Sequence, residues 1–180
     1  MKELSLNILD IAQNSVKAKA NEIDIEIKET DETMLIEIRD NGSGMEKDFL
    51  ESVTNPFCTT RTTRSVGLGI PFLQLAASQT GGKVEIESFH EGEYPDKHGT
   101  KISALFYKNH IDFTPLGDIV STIITLIQGQ PNIEWNFIHV YGEKVVSLHT
   151  AQLKEVLGDV PLDNFEVIMW IKEYLTEQYN

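Results

Sequence analysis

Two short runs near the N-terminus constrain the fold more than anything else in the chain. NEIDIEIKE (21–29) alternates isoleucine with polar or charged residues, and MLIEIRD (34–40) does so again after the polar turn TDET. Successive side chains of a strand point to opposite faces, so Ile23, Ile25 and Ile27 share one side and their charged neighbours the other. Two such strands joined by a short polar turn predict a hairpin with one dry and one wet face. The dry face needs a cover. Residues 4–19 (LSLNILDIAQNSVKAK) supply a candidate, because Leu4, Ile8, Ile11, Ser15 and Ala18 recur at helical spacing.

The pattern then breaks. Residues 41–66 hold Gly42, Gly44, Pro56 and many Thr and Arg residues without sustained periodicity, as expected of a functional lid or a disordered segment. A helix is predicted from near Gly67 to about Thr80, stopped by Gly81-Gly82. Two more alternating strands, KVEIES and TKISALFY, flank the polar EGEYPDKHG. The order αββ–loop–αββ predicts an α+β fold, a two-layer sandwich with helices on one face of a mostly antiparallel sheet. Pro115 and Gly117 mark a joint, so we divide the chain into a domain over 1–108 and a small αββα appendage over 109–180. The appendage opens with an apolar helix (GDIVSTIITLIQ, 117–128) that either completes the core of this chain or makes a homodimer interface. Strand-like IEWNFIHVYG and KVVSLH follow, then helices around 151–157 and 163–177.

Charge narrows the function. With 28 acidic and 15 basic residues the net charge is −13, a field that repels phosphate backbones and anionic lipid, so neither nucleic acid nor membrane is an expected partner. A single cysteine, Cys58, excludes an intramolecular disulfide framework and fits a reducing compartment. No apolar run reaches a membrane span and no signal peptide opens the chain, so a cytoplasmic location is expected. Five histidines show no metal-ligand spacing, and Trp135 and Trp170 stand in apolar contexts that predict packing.

The residues able to carry chemistry cluster in the first 100 positions. Asp10 and Asn14 project from one helix face, where an amide oxygen can hold Mg²⁺ and a carboxylate can orient or deprotonate a water; a solvated polar stripe looks the same. Asp40-Asn41-Gly42-Ser43-Gly44-Met45 follows a strand directly. Its carboxylate can accept from an exocyclic amine and its glycines admit a flat ligand, though Asn-Gly is also a common surface turn. Gly67-Leu68-Gly69 opens a helix with bare amides suited to an anion, with Arg61 and Arg64 upstream as cationic partners. Gly99-Thr100 opens a strand. A Walker A loop and a complete dinucleotide glycine fingerprint are both missing.

In fixed order these weak signals resemble one superfamily, that of gyrase, heat-shock chaperone, histidine kinase and MutL ATPases. LDIAQNSVKAKA running into NEIDIEI resembles the N box, DNGSGM the G1 box, GLGI the G2 box and GT the G3 box. NPFCTTRTTRSVGLGI is similar to the lid of sensor histidine kinases, and the match covers about residues 4–108. The resemblance implies the Bergerat-type sandwich, with its left-handed crossover, and ATP under a mobile lid. It implies that Asn14 ligates Mg²⁺, that Asp40 binds the adenine amino group with Thr100 assisting through water, and that Gly42, Gly44 and Met45 line the base. The Thr59, Thr60, Arg61 and Arg64 side chains and the Gly67, Leu68 and Gly69 amides then fall to the phosphates. Asp10 stands where hydrolysing members carry a water-activating Glu. Because the chain starts at the N box, a complete sensor kinase is not expected. Small stand-alone members, such as anti-sigma-factor serine kinases and short ATP-binding proteins of hydrogenase loci, are similar in extent. The expected function is Mg²⁺-dependent ATP binding with γ-phosphoryl transfer to a partner protein. The alternatives are a slow ATPase switch and a regulatory ATP-binding module without turnover.

Overall fold

The computed structural model describes residues 2–54 and 68–180. In chain order the elements are α1 (Leu4–Lys17), β1 (Glu22–Glu29), β2 (Thr33–Asp40), α2 (Lys47–Thr54), α3 (Gly69–Gln79), β3 (Lys83–Phe89), β4 (Gly99–Tyr107), α4 (Ile119–Gly129), β5 (Glu134–Tyr141), β6 (Lys144–His149), α5 (Thr150–Leu157) and α6 (Phe165–Tyr179). The strands form one six-stranded mixed sheet in the order β3-β4-β2-β1-β5-β6.

The isoleucine alternation sets the register. In the β1–β2 hairpin Ile25 lies opposite Ile38 and Ile27 opposite Ile36, so the isoleucines of both strands and Met34 reach the same face, while Leu35, opposite Lys28, lies half-buried on the other. β4 continues that face with Ile102, Ala104 and Phe106 beside Ile38, Ile36 and Met34. On the other side β5 pairs parallel with β1, bringing Trp135, Phe137 and His139 beside Ile23, Ile25 and Ile27. Residues 109–180 therefore extend the same sheet that the N-terminal hairpin begins.

The dry face is covered by α1, α3, α4 and α6. Leu4, Ile8 and Ile11 of α1, Ile70, Leu73 and Ala77 of α3, Ile123 and Ile127 of α4, and Ile171 and Leu175 of α6 are all buried in one core. The apolar helix α4 lies against α1, where the Thr122 hydroxyl donates to the Ser5 carbonyl (3.3 Å). It thus completes the core of this chain. The opposite face stays wet and carries crossed charges such as Lys101–Glu37 at 2.9 Å, with Ser103 donating to Glu37 at 3.0 Å.

Two expectations need correction. α2 falls inside the stretch read as aperiodic: it buries only Val53, with Phe49 one turn earlier packed partly against the core. Trp135 packs as expected, but Trp170 is 49% exposed on the outer side of α6. No described helix is long and apolar enough to cross a membrane.

Candidate functional site

Strand pairing brings the candidate residues of the G1 and G3 stretches to one end of the sheet. Asp40 ends β2 opposite Thr100 of β4, and Ser88 of β3 lies opposite Thr100 in turn, so the three share a row on the helix-covered side. α1 reaches over that row. The Ser15 hydroxyl donates to Asp40 Oδ2 (2.5 Å) while the Gly42 amide donates to Oδ1 (2.9 Å), which fixes the carboxylate and leaves it lone pairs for an incoming donor. The Ser88 hydroxyl lies 2.7 Å from that of Thr100 and accepts from the Met45 amide (2.8 Å).

The turn after β2 is braced from both sides. Ser43 donates its amide to the Ala18 carbonyl (2.9 Å), Glu91 donates to the Ser43 carbonyl (2.8 Å), and His98 Nδ1 donates to the Gly42 carbonyl (2.6 Å). Gly44 adopts φ +72°, and a Cβ there would overlap the Phe89 carbonyl oxygen. Only glycine suits both demands.

On α1, Asn14 is half-buried, with its Nδ2 buried and without a partner among the described residues, whereas Asp10 is exposed one turn earlier. α3 starts beside Asp10: a Cβ built on Gly69 would lie 3.0 Å from Asp10 Cβ. Leu68 precedes that helix with no side-chain cap, so its first amides have no side-chain acceptor among the described residues. Between α1, the turn and α2 opens a cavity of about 410 Å³, lined by Asn14, Lys17, Gly44, Met45, Phe49 and His90 among others. No group of three His, Cys, Asp or Glu side chains among the described residues is arranged to hold a metal. An ion at Asn14 would need ligand oxygens and water to complete its shell, the coordination habit of Mg²⁺ beside phosphates. The donor set fits that ion.

Asp40, Gly42, Gly44, Met45 and Thr100 thus converge, with Asn14 on the cavity wall, while Asp10, Leu68 and Gly69 meet at the mouth of α3. Thr59, Thr60, Arg61, Arg64 and Gly67 lie outside the described residues. Sequence reasoning missed Ser15, Lys17, Phe49, Ser88 and His90. Lys17 had a signal, three positions after Asn14 on the same helix. Ser88 and His90 had none, because only the β3–β4 register brings them here.

The family model described as histidine kinase-, DNA gyrase B- and HSP90-like ATPase matches residues 2–110. The CAI-1 autoinducer sensor kinase/phosphatase CqsS of Vibrio cholerae is 36% identical over 72 residues, which are 40% of this chain and 10% of that protein. A probable C4-dicarboxylate sensor kinase of Bacillus subtilis is 29% identical over 92 residues, 51% of this chain and 16% of that one. The chain therefore spans only a small part of the length of these relatives. Among solved structures, the Aquifex aeolicus MutL ATPase domain complexed with ADP superposes with TM-score 0.56 at 12% identity, covering 96% of this chain and 88% of that one. The N-terminal domain of a DNA repair protein gives TM-score 0.56 at 17% identity, over 83% and 53%. These two likenesses carry the fold. With the family model matched across more than half its length, the chain belongs to the histidine kinase-, DNA gyrase B- and HSP90-like ATPases.

Proposed function

We propose that this chain binds Mg²⁺·ATP in the cleft between α1, the turn after β2 and the N-terminus of α3, and passes the γ-phosphoryl group to a partner protein. The observation that carries the nucleotide reading is Asp40: a carboxylate fixed by Ser15 and the Gly42 amide, over a glycine-floored turn, is ready to accept from the exocyclic amine of adenine. Thr100 and Ser88 stand beside it to anchor a bridging water. Asn14 would hold Mg²⁺ through its amide oxygen, and the ion would supply positive charge against the phosphates. The uncapped amides of α3 face the anionic end of the ligand, and Lys17 lies on the cavity wall. Such a site positions its ligand and does little covalent work, which suits phosphoryl transfer. The kinase direction rests on the two sensor-kinase relatives.

A second reading has its own support. Asp10 touches the start of α3 and is exposed, where it can orient a water toward a terminal phosphate. It is one methylene shorter than Glu, so hydrolysis by this route would be slow. Incubation with γ-labelled ATP and Mg²⁺, following free phosphate and protein-bound label, separates the two. Label on protein once a partner is supplied, with little free phosphate, is the expected outcome. Free phosphate that disappears in Asp10→Asn would replace transfer with a slow ATPase.

A further inference from the structure

At the β6 edge of the sheet, opposite the edge near Asp40 and Thr100, α5 and α6 present an apolar surface that the nucleotide reading does not use. Val156 is 87% exposed, Phe165 76%, and Met169 and Trp170 nearly half. Trp170 stacks on Tyr174 with ring centroids 5.0 Å apart and planes at 12°. It stands between two depressions, one of about 500 Å³ between α5 and α6 that includes Leu153, Val156 and Val160, the other of about 620 Å³ along Phe165 and Met169. The surface is preformed. Leu162 is buried as an anchor between the helices, and Asn164 caps α6 by accepting from the Glu166 and Val167 amides (2.9 and 3.4 Å). Clustered exposed aromatic and aliphatic side chains of this kind mark an interaction site.

Charge decides the occupant. Glu155, Asp159, Asp163, Glu166, Glu173 and Glu177 are all exposed around this surface, against Lys154 and Lys172, and none of the six carboxylates forms an ion pair among the described residues. A second copy would bring the same acidic rim and the same net charge of −13, and an isologous contact would set like charges together. An anionic lipid surface is repelled for the same reason. We propose that α5 and α6 form a docking surface for an amphipathic helix of another protein, one with bulky apolar residues on one face flanked by Lys and Arg. The apolar face would cover Trp170, Phe165 and Met169 while the flanking cations meet the unpaired carboxylates. The surface stands independently of the nucleotide cleft, so either assignment survives failure of the other.

The test uses Trp170 as its own probe. In a Trp135→Phe background, the full chain is titrated with two synthetic helical peptides of identical leucine face, one flanked by lysines and the other by glutamates. The expected result is a blue shift of Trp170 emission with the lysine peptide, at least tenfold weaker binding of the glutamate peptide, and affinity falling as salt rises. Phe165→Ser/Met169→Ser, exposed changes that leave circular dichroism unaltered, should weaken the lysine peptide at least tenfold. Equal binding of both peptides would overturn the charge argument. Lysine-peptide binding that ignores the double substitution would place it elsewhere on the acidic surface and overturn the site. Sedimentation showing a dimer in which Trp170 is already shielded would give the surface to a second copy instead.

Discussion

At the scale of single residues, Asp40 depends on a helix remote from it in sequence. Ser15 restrains one carboxylate oxygen at 2.5 Å, so part of the recognition of a base would be stored on α1 before any ligand arrives. Ser15→Ala removes one hydrogen bond to a charged group and frees the side chain to rotate. We expect ATP to bind roughly fivefold more weakly, a loss of about 1 kcal/mol, in a calorimetric titration with Mg²⁺ present. An unchanged dissociation constant would mean that Asp40 needs no such restraint. The residues carrying this site were partly legible. Asp40, Gly42, Gly44 and Thr100 stood out through strand ends and glycines. Ser15 was read only as part of an apolar face, and Ser88 only as the last residue of a strand, because hydrogen bonds between distant elements leave no local periodicity.

At the scale of elements, the far end of the sheet is joined by a polar cluster. His139 of β5, buried on the dry face, donates from Nε2 to Glu29 of β1 (2.8 Å), and its Nδ1 accepts from the Tyr179 hydroxyl of α6 (2.8 Å). Lys108 completes the cluster at 2.9 Å from Glu29. The hydrogen bond from His139, then Lys108, hold the Glu29 carboxyl below its ordinary value of 4.5 against the opposing effect of burial. A depressed carboxylate contributes stability above its unfolded pKa and loses it as pH falls through the folded value. Urea midpoints should therefore fall below about pH 4.5. In Glu29→Gln we expect stability at pH 7 lower by roughly 1–2 kcal/mol and a shallower acid limb. Parallel acid limbs would remove Glu29 from the account. The Tyr179 hydroxyl is pushed up mainly by burial, with Tyr141 and Glu29 adding to it. Its contribution is present below the ordinary value of 10.0 and fades as pH rises beyond it. The hairpins and every helix but α2 are readable from periods of two and of three to four. The parallel β1–β5 pairing is not, because β1 alternates identically whether it lies at an edge or in the middle.

At the scale of the whole molecule, the segment after the Pro115–Gly117 joint supplies the neighbour of β1 and two of the four covering helices. One sheet and one core predict a single cooperative unfolding transition, with Trp135 fluorescence and far-UV circular dichroism coincident in urea. Ile127→Ala, a cavity at a fully buried position of α4, should shift both probes together by about 2–5 kcal/mol, and separate transitions would mean two independently stable units. The central claim is that this scaffold presents Asp40 to the adenine of ATP. The most direct measurement is a calorimetric titration of ATP with Mg²⁺ into the unmodified chain and into Asp40→Asn, with urea unfolding of both as a control. The account predicts saturable binding to the unmodified chain. In Asp40→Asn it predicts a loss of roughly 30-fold or more, about 2 kcal/mol, with unfolding midpoints alike. Undiminished ATP affinity in that variant would contradict it.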